Sequence, residues 1–138
     1  MMTLFFTMAM VSGAIAPDAT DDDYKTFAGS WKIESMEIAG KAFDVAEFSK
    51  TPLVLKGKAF TQGEAQGTFK IDATKTPKTI DLTFTNGPPK GITLRGIYEL
   101  DETTYKLSVA KAGEDRPKVF DSKVKGVGSV QVLKRIKP

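Results

Sequence analysis

The chain contains no histidine and no cysteine. Their absence removes the usual general base near neutral pH, the thiolate nucleophile and the commonest ligands of zinc. Ser-His-Asp catalysis, Cys-His catalysis and zinc-dependent hydrolysis are therefore excluded, which leaves only Ser-Lys chemistry or paired carboxylates. Because disulfides are excluded as well, stability must come from an apolar core and from backbone hydrogen bonds.

Paired carboxylates are poorly supported by the sequence pattern. Asp81, Glu99 and Asp101 fall on outward faces of predicted strands or in turns, where charged side chains are expected to be solvated. The acidic stretch "DATDDD", residues 18–23, lacks the glycine spacing and the closing glutamate of a calcium loop. No phosphate-binding glycine motif is present. We therefore predict a protein that is not an enzyme and that has no metal and no cofactor.

Residues 1–16, "MMTLFFTMAMVSGAIA", carry no charge and are followed directly by "PDATDDD". This change of composition is typical of a secretory signal peptide, and Ala14 and Ala16 supply the small residues of a cleavage site. The stretch is shorter than the ~20 residues that a membrane-spanning helix needs. We predict export to the periplasm or the cell exterior and no membrane span after cleavage. A buried or membrane-associated N-terminal helix is the alternative.

Positive charge is weakly in excess, with 20 Lys and Arg against 17 Asp and Glu. The basic residues near the C-terminus alternate with Val and Leu, as the solvent face of a strand does: Lys123, Lys125, Lys134, Arg135 and Lys137. No nucleic-acid-binding module accompanies them, so a nucleic-acid partner is not expected.

Two short helices are predicted. The first, "DYKTFAG" at residues 23–29, ends at Gly29 and is capped by Asp22 or Asp23, so residues 17–28 form an acidic linker with a short helix. The second, "DVAEFSK" at residues 44–50, is stopped by Pro52.

Residues 29–138 form one predicted β-domain, since 138 residues suffice for a single domain. Short apolar alternations separated by turns predict strands within residues 31–38, 52–57, 58–63, 67–73, 78–85, 92–100, 105–111, 118–122 and 128–136. All connections are short enough for neighbouring strands to pair in sequence order. The fold class is therefore all-β, a small up-and-down antiparallel barrel of eight to nine strands, with one or two short helices.

"GSW" at residues 29–31, together with "VQVLKRI" near the C-terminus, resembles the GxW signature of the lipocalin and calycin superfamily. The resemblance implies that Trp31 packs at the closed end of the barrel and that Arg135, or alternatively Lys134, lies across it. A cation over an indole contributes ~0.5–2 kcal/mol, so this pair is expected to close the barrel.

A closer resemblance is to a lipocalin-like family of exported bacterial proteins that occur as multiple paralogues and have no assigned activity. Its motifs are similar to "GSWKIESMEIAGK", "KTIDLTFTNGPPKG", "GIYELDETTYKL" and "GEDRPKVF", which span residues 29–135 in the same order. Members often carry a cysteine where this chain has Ser108. The resemblance implies a fold and no activity.

Two functions from different classes stay open. In the first, a monomeric, non-enzymatic binder holds a small apolar or amphipathic ligand in a barrel lined by large apolar side chains: Trp31, Phe60, Phe69, Ile71, Leu82, Phe84, Leu94, Tyr98, Leu107 and Phe120. In the second, the same side chains fill the barrel and the loops contact a protein of the cell envelope. An eight-stranded barrel is just wide enough for either arrangement. The large inward residues favour filling, and Gly96 is the one position that could open space.

The loop "KAGEDRPKVF", residues 111–120, adds a second candidate site. Pro117 biases Arg116 toward an extended backbone, which would hold its side chain at the barrel rim. Arg116 either orders the loop by pairing with a carboxylate or a carbonyl, or joins Arg95 to bind an anionic headgroup or a partner's carboxylate.

Overall fold

The computed structural model describes residues 15–46, 50–87 and 90–137, with the backbone alone for residues 15–18. Within these residues there is one helix, α1 (Ile15–Phe27), and nine strands. The strands are β1 (Gly29–Ile38), β2 (Lys41–Ala42), β3 (Leu53–Lys56), β4 (Ala59–Gln62), β5 (Ala65–Asp72), β6 (Lys78–Phe84), β7 (Thr93–Leu100), β8 (Thr104–Ala110) and β9 (Val127–Arg135).

The strands form a closed antiparallel barrel. Each of β3 to β8 pairs with the next strand in sequence, β1 pairs with β3, and β9 returns to pair with β1. Eight strands thus close the wall, while β2 extends only the tip of β1 as a short hairpin. Closure leaves no long unpaired sheet edge. The prediction of an up-and-down barrel of eight to nine strands is confirmed.

Alternation of apolar and polar residues explains the strands. In β5, Gly67, Phe69 and Ile71 are buried, and the residues between them are exposed. A two-residue period points such side chains to one face, so the barrel interior collects them into a single core. Trp31 and Ile33 begin the same pattern in β1, and a register shift follows at Ser35.

Helix α1 differs from the predicted short helix. It has 13 residues, and Asp22 and Asp23 lie within it rather than at its N-terminal cap. Its side chains that reach the barrel follow the i, i+3, i+4, i+7 spacing of one helical face: Thr20, Asp23, Tyr24 and Phe27. Packing of this face on the barrel stabilises a helix that residue composition alone describes as an acidic linker.

Three other predicted segments have different outcomes. The predicted signal peptide covers residues 1–16, of which residues 1–14 lie outside the described residues. The predicted second helix includes residues 47–49, which are also outside them, and residues 44–46 are not helical. The predicted strand at 118–122 is wrong, since residues 111–126 form an irregular connection between β8 and β9. β1 and β9 already close the barrel, so no edge is left to pair with this segment.

The barrel has two unlike ends. Helix α1 covers the end at which β1 begins and β9 finishes, which we name the closed end. The opposite end, the open end, carries the connections β4–β5, β6–β7 and β8–β9. The two ends hold the two groups of residues described next.

Candidate ligand-binding site

Trp31 lies at the centre of the closed end. Its side chain is fully buried, and its indole N–H donates to the carbonyl of Phe27 at 2.8 Å. Its ring meets the Tyr105 ring edge-on, with 5.8 Å between the ring centroids. Cζ of Arg135 lies 4.3 Å from the centroid of the indole. Trp31 therefore joins the first strand, the last strand and helix α1.

Arg135 also binds the end of helix α1. Its guanidinium donates to the carbonyls of Thr26 and Ala28, and its Nε donates to the carbonyl of Glu102 at 2.6 Å. The last carbonyls of a helix have no partners within the helix and carry its negative partial charge. The Arg135 guanidinium pairs with these carbonyls and offsets the negative partial charge. A Cβ on Gly29, which has a φ of 130°, would lie 2.8 Å from Nη1 of Arg135, so glycine permits this approach.

A second contact between α1 and the barrel is polar. The Tyr98 hydroxyl donates to Oδ2 of Asp23 at 2.7 Å, and Nζ of Lys78 lies 3.0 Å from the same oxygen. Burial raises the pKa of Tyr98 above its usual value, and the contact with Asp23 raises it further. Burial also raises the pKa of Tyr105. The folded protein therefore keeps both phenols protonated.

We expect the barrel to lose stability in alkaline solution. An unfolded tyrosine has a pKa of about 10, and the folded pKa of Tyr98 and Tyr105 is higher, so their contribution is complete below pH ~10 and declines as the pH rises further. The double variant Tyr98→Phe/Tyr105→Phe should show a flatter decline. Urea unfolding between about pH 9 and pH 11.5 measures this difference. Parallel curves for the two proteins would contradict it.

A cavity of about 170 Å³ lies inside the barrel, in the half toward the open end. Most of its wall is apolar, and all eight strands of the closed wall except β1 contribute to it. The residues that line it are Leu53, Leu55, Phe60, Gln62, Ala65, Phe69, Ile80, Leu82, Phe84, Leu94, Tyr105, Leu107, Val109, Ser129 and Gln131. The closed half is filled by side chains, and the open half is not.

The structure places six of the ten predicted ligand-binding residues at this cavity, namely Phe60, Phe69, Leu82, Phe84, Leu94 and Leu107. Tyr98 is inside the barrel but lies at the closed end, against Phe27 and Asp23. Phe120 is on the outer surface of the barrel, with Nζ of Lys106 4.9 Å from its ring, because residues 111–126 run outside the wall. Its predicted interior position is wrong.

Gly67 explains how space persists among large side chains. A Cβ on Gly67 would lie 2.1 Å from the carbonyl oxygen of Thr83 and 2.6 Å from ring carbons of Phe60. The absent side chain lets the Phe60 ring lie close to the wall. There it meets the Phe84 ring edge-on, with 5.4 Å between the ring centroids. Gly96, expected from the sequence to open space, does not line the cavity, and a Cβ there would lie 2.7 Å from the carbonyl oxygen of Ser108.

Arg116 lies on the outer wall and not at the rim. Its Nη1 donates to the carbonyls of Ile80 and Gly96 at 3.1 and 2.9 Å, and its Nη2 is 2.8 Å from Oδ1 of Asp81. Asp81 is thus ion-paired rather than only solvated, and Arg95, exposed on β7, is its partner in the β6–β7 register. Of the two roles open to Arg116, these contacts match the ordering of its loop.

Removal of Arg116 should reduce stability without affecting the cavity. Hydrogen bonds to charged groups contribute about 1.5–3 kcal/mol, so we expect Arg116→Ala to lower the free energy of unfolding by that amount. Lys118→Ala, an exposed change in the same loop, should stay within about 0.5 kcal/mol. Urea unfolding of both variants checks this. Equal stability of the two would remove the ordering role from Arg116.

Comparison with family models, curated proteins and solved structures finds no match. Among the described residues, no group of three or more acidic side chains is placed to hold a metal ion, and no helix has the length and apolar character to cross a membrane.

Sequence reasoning missed the polar part of the cavity wall. Gln62, Ser129 and Gln131 all reach the cavity, yet each is a polar residue within a predicted strand. The signal was available in the alternation of β9, where Ser129 and Gln131 occupy the same face as buried Leu133. A polar residue on the same strand face as a buried apolar residue indicates a barrel interior that contains polar groups.

Proposed function

We propose that this protein is an exported, non-enzymatic binding protein of the lipocalin-like type, which holds a small apolar or amphipathic ligand in its barrel. One observation carries the proposal: the cavity of about 170 Å³ in the open half of a barrel whose other end is sealed. Export and the lipocalin-like relationship rest on the N-terminal composition and on the motifs of the sequence.

The lining supports this function in two ways. Large apolar side chains such as Leu53, Leu82 and Phe84 provide the wall that an apolar ligand needs, and burial of ligand surface contributes about 25 cal/mol per Å². Sealing by α1 gives the site a floor, so a ligand enters from one side only. A closed base with an open mouth is the arrangement of a binding pocket.

The alternative function, an interaction domain of the cell envelope, requires a barrel that is filled by side chains. Filling holds for the closed half, where Trp31, Tyr98 and Phe27 are each at most 1% exposed. The unfilled open half favours the binder. A monomeric protein fits this proposal, since the ligand site lies within one barrel.

Native mass spectrometry of protein purified from its own host tests the proposal. We expect a copurifying small molecule in the wild type and its loss in Ala65→Leu, because this side chain would grow into the cavity. Ala59→Leu, an exposed change on β4, is the matched control and should keep the molecule. The unfolding free energy of Ala65→Leu should not fall, since the added atoms fill existing space.

Two outcomes would contradict the proposal. A wild-type protein that is empty under native ionisation and takes up no apolar molecule in solution would favour the interaction domain. A bound molecule that is equally retained by Ala65→Leu and Ala59→Leu would place the binding site outside the barrel. The mass of the same sample also tests export, since cleavage after residue 16 is predicted.

A further inference from the structure

We propose that the cavity selects an uncharged molecule about the size of one ring, bearing a hydrogen-bonding group that pairs with the carboxamides of Gln62 and Gln131. This inference rests on the proposed function and specifies the ligand class. Four observations support it. They are the volume of the cavity, the absence of charged side chains from its wall, the unpaired N–H and oxygen atoms of the two carboxamides, and the position of the Tyr105 hydroxyl.

The volume limits the ligand to a compact molecule. Cavities of about 150 Å³ hold benzene or xenon, whereas pockets for drug-sized ligands measure about 300–1,000 Å³. At about 170 Å³ the cavity belongs with the smaller class. A long acyl chain or a polycyclic molecule would exceed it, because the closed half below is filled by Trp31, Tyr98 and Phe27.

The wall carries no charged side chain. None of the fifteen residues that line the cavity is Asp, Glu, Lys or Arg. An ionised group moved from water into such a site loses its hydration and gains no partner of opposite charge. The cavity therefore favours neutral ligands and disfavours carboxylates, including fatty acids.

Two carboxamides give the cavity hydrogen-bonding capacity. Gln62 donates one N–H to the carbonyl of Thr51 at 3.3 Å, and Gln131 donates one to Oγ of Ser129 at 3.2 Å. Each carboxamide has a second N–H and an acceptor oxygen, for which the described residues provide no partner. Gln62 is on β4 and Gln131 on β9, three strands apart around the barrel. A polar group of the ligand can thus be reached from two sides.

Tyr105 adds a hydroxyl at the base. Its side chain is 98% buried and lines the cavity, and its hydroxyl makes no hydrogen bond with another described residue. Tyr98, by contrast, is hydrogen-bonded to Asp23. A hydroxyl at the cavity wall that has no protein partner can pair with a polar group of a ligand. Tyr105 therefore provides a second point at which a polar ligand would gain over a purely apolar one.

The test compares four probes by NMR titration of the full-length protein: ethylbenzene, benzyl alcohol, benzoate and dodecanoate. Ethylbenzene and benzyl alcohol differ only in a methyl against a hydroxyl group. We expect benzyl alcohol to bind at least as tightly as ethylbenzene although its hydroxyl must leave water. Benzoate should bind at least about tenfold more weakly than benzyl alcohol at neutral pH. Dodecanoate should not displace benzyl alcohol.

The double variant Gln62→Leu/Gln131→Leu isolates the carboxamides. An unpaired buried hydroxyl is penalised by about tenfold or more in affinity, so the preference should shift by about tenfold toward ethylbenzene. Ethylbenzene itself should bind as well as before, which shows that the barrel is intact. Gln66→Leu, an exposed change on β5, should leave the preference unaltered.

The outcomes separate this inference from the proposed function. A preference for ethylbenzene that is the same in the wild type and in the double variant would overturn the selection while leaving a barrel that binds. Tight binding of dodecanoate inside the cavity would overturn the size limit in the same way. If no probe shifts the resonances of the lining residues, the proposed function fails together with the inference.

Discussion

Replacement of Trp31 by alanine is expected to lower the free energy of unfolding by about 3–5 kcal/mol, the range for truncation of a buried tryptophan. The change removes the hydrogen bond to the carbonyl of Phe27, the edge contact with Tyr105 and the indole beneath Arg135. Helix α1 would lose one of its attachments at the same time. Because Trp31 is the only tryptophan, unfolding must be followed by circular dichroism and not by tryptophan fluorescence.

Trp31→Phe is the informative companion, since it keeps an aromatic ring over which Arg135 can lie and loses the N–H donor. It should retain more stability than Trp31→Ala. A loss below about 1 kcal/mol for Trp31→Ala, which is typical of exposed positions, would contradict the role of Trp31 in closing the barrel.

Replacement of Phe27 by alanine is the second large effect, with an expected loss of about 3–5 kcal/mol. Phe27 is fully buried and contacts three aromatic rings, those of Phe69, Tyr98 and Tyr105, at centroid distances of 5.6, 5.1 and 4.8 Å. It is the main apolar contact between α1 and the barrel interior. Its loss should release the helix, which limited proteolysis near residues 15–27 would detect.

Val54→Ala is the matched control for Phe27→Ala. Val54 is 40% exposed on β3, so this truncation should change the free energy of unfolding by no more than about 0.5 kcal/mol. If Phe27→Ala resists proteolysis as well as Val54→Ala does, the helix is held by its polar contacts through Asp23 and Tyr24 and not by Phe27.

The barrel could be predicted from the sequence because its evidence is local. In β5 and β6, strict alternation placed Phe69, Ile71, Ile80 and Leu82 on one face, and short turns fixed the order of pairing. Where two faces of a strand are unlike, the register follows from the pattern. Closure then follows from the number of strands and the shortness of their links.

The extent of α1 could not be predicted in the same way. Its acidic residues suggest a solvated linker, and only the barrel gives these side chains their partners. Asp23 and Tyr24 contact β5, β6 and β7, and Thr20 accepts from Ala73 directly after β5. The contacts of these three side chains join residues 45 or more positions apart in the sequence, and they stabilise the helix. The composition of a ten-residue window cannot predict such contacts.

The candidate site was predicted in part. Inward positions such as Phe60 and Leu82 follow from alternation, but the amount of space between them depends on ring orientation, which Gly67 controls through the position of Phe60. Arg116 and Phe120 were misplaced for a different reason. Their loop lies on the outer wall, where Ser108 donates to the carbonyl of Val119, and no pattern within the loop indicates the face on which it packs.

Xenon binding, followed by NMR of methyl-labelled leucine and valine, tests directly whether the open half of the barrel holds an accessible apolar cavity. Xenon enters cavities of about 150 Å³, so it should fit this one. We predict saturable shifts at Leu53, Leu82, Leu107 and Val109, with no such response at outward Val54 and a reduced response in Ala65→Leu. Shifts that are absent, or that are equal at Val54 and at the lining residues, would contradict the presence of the cavity.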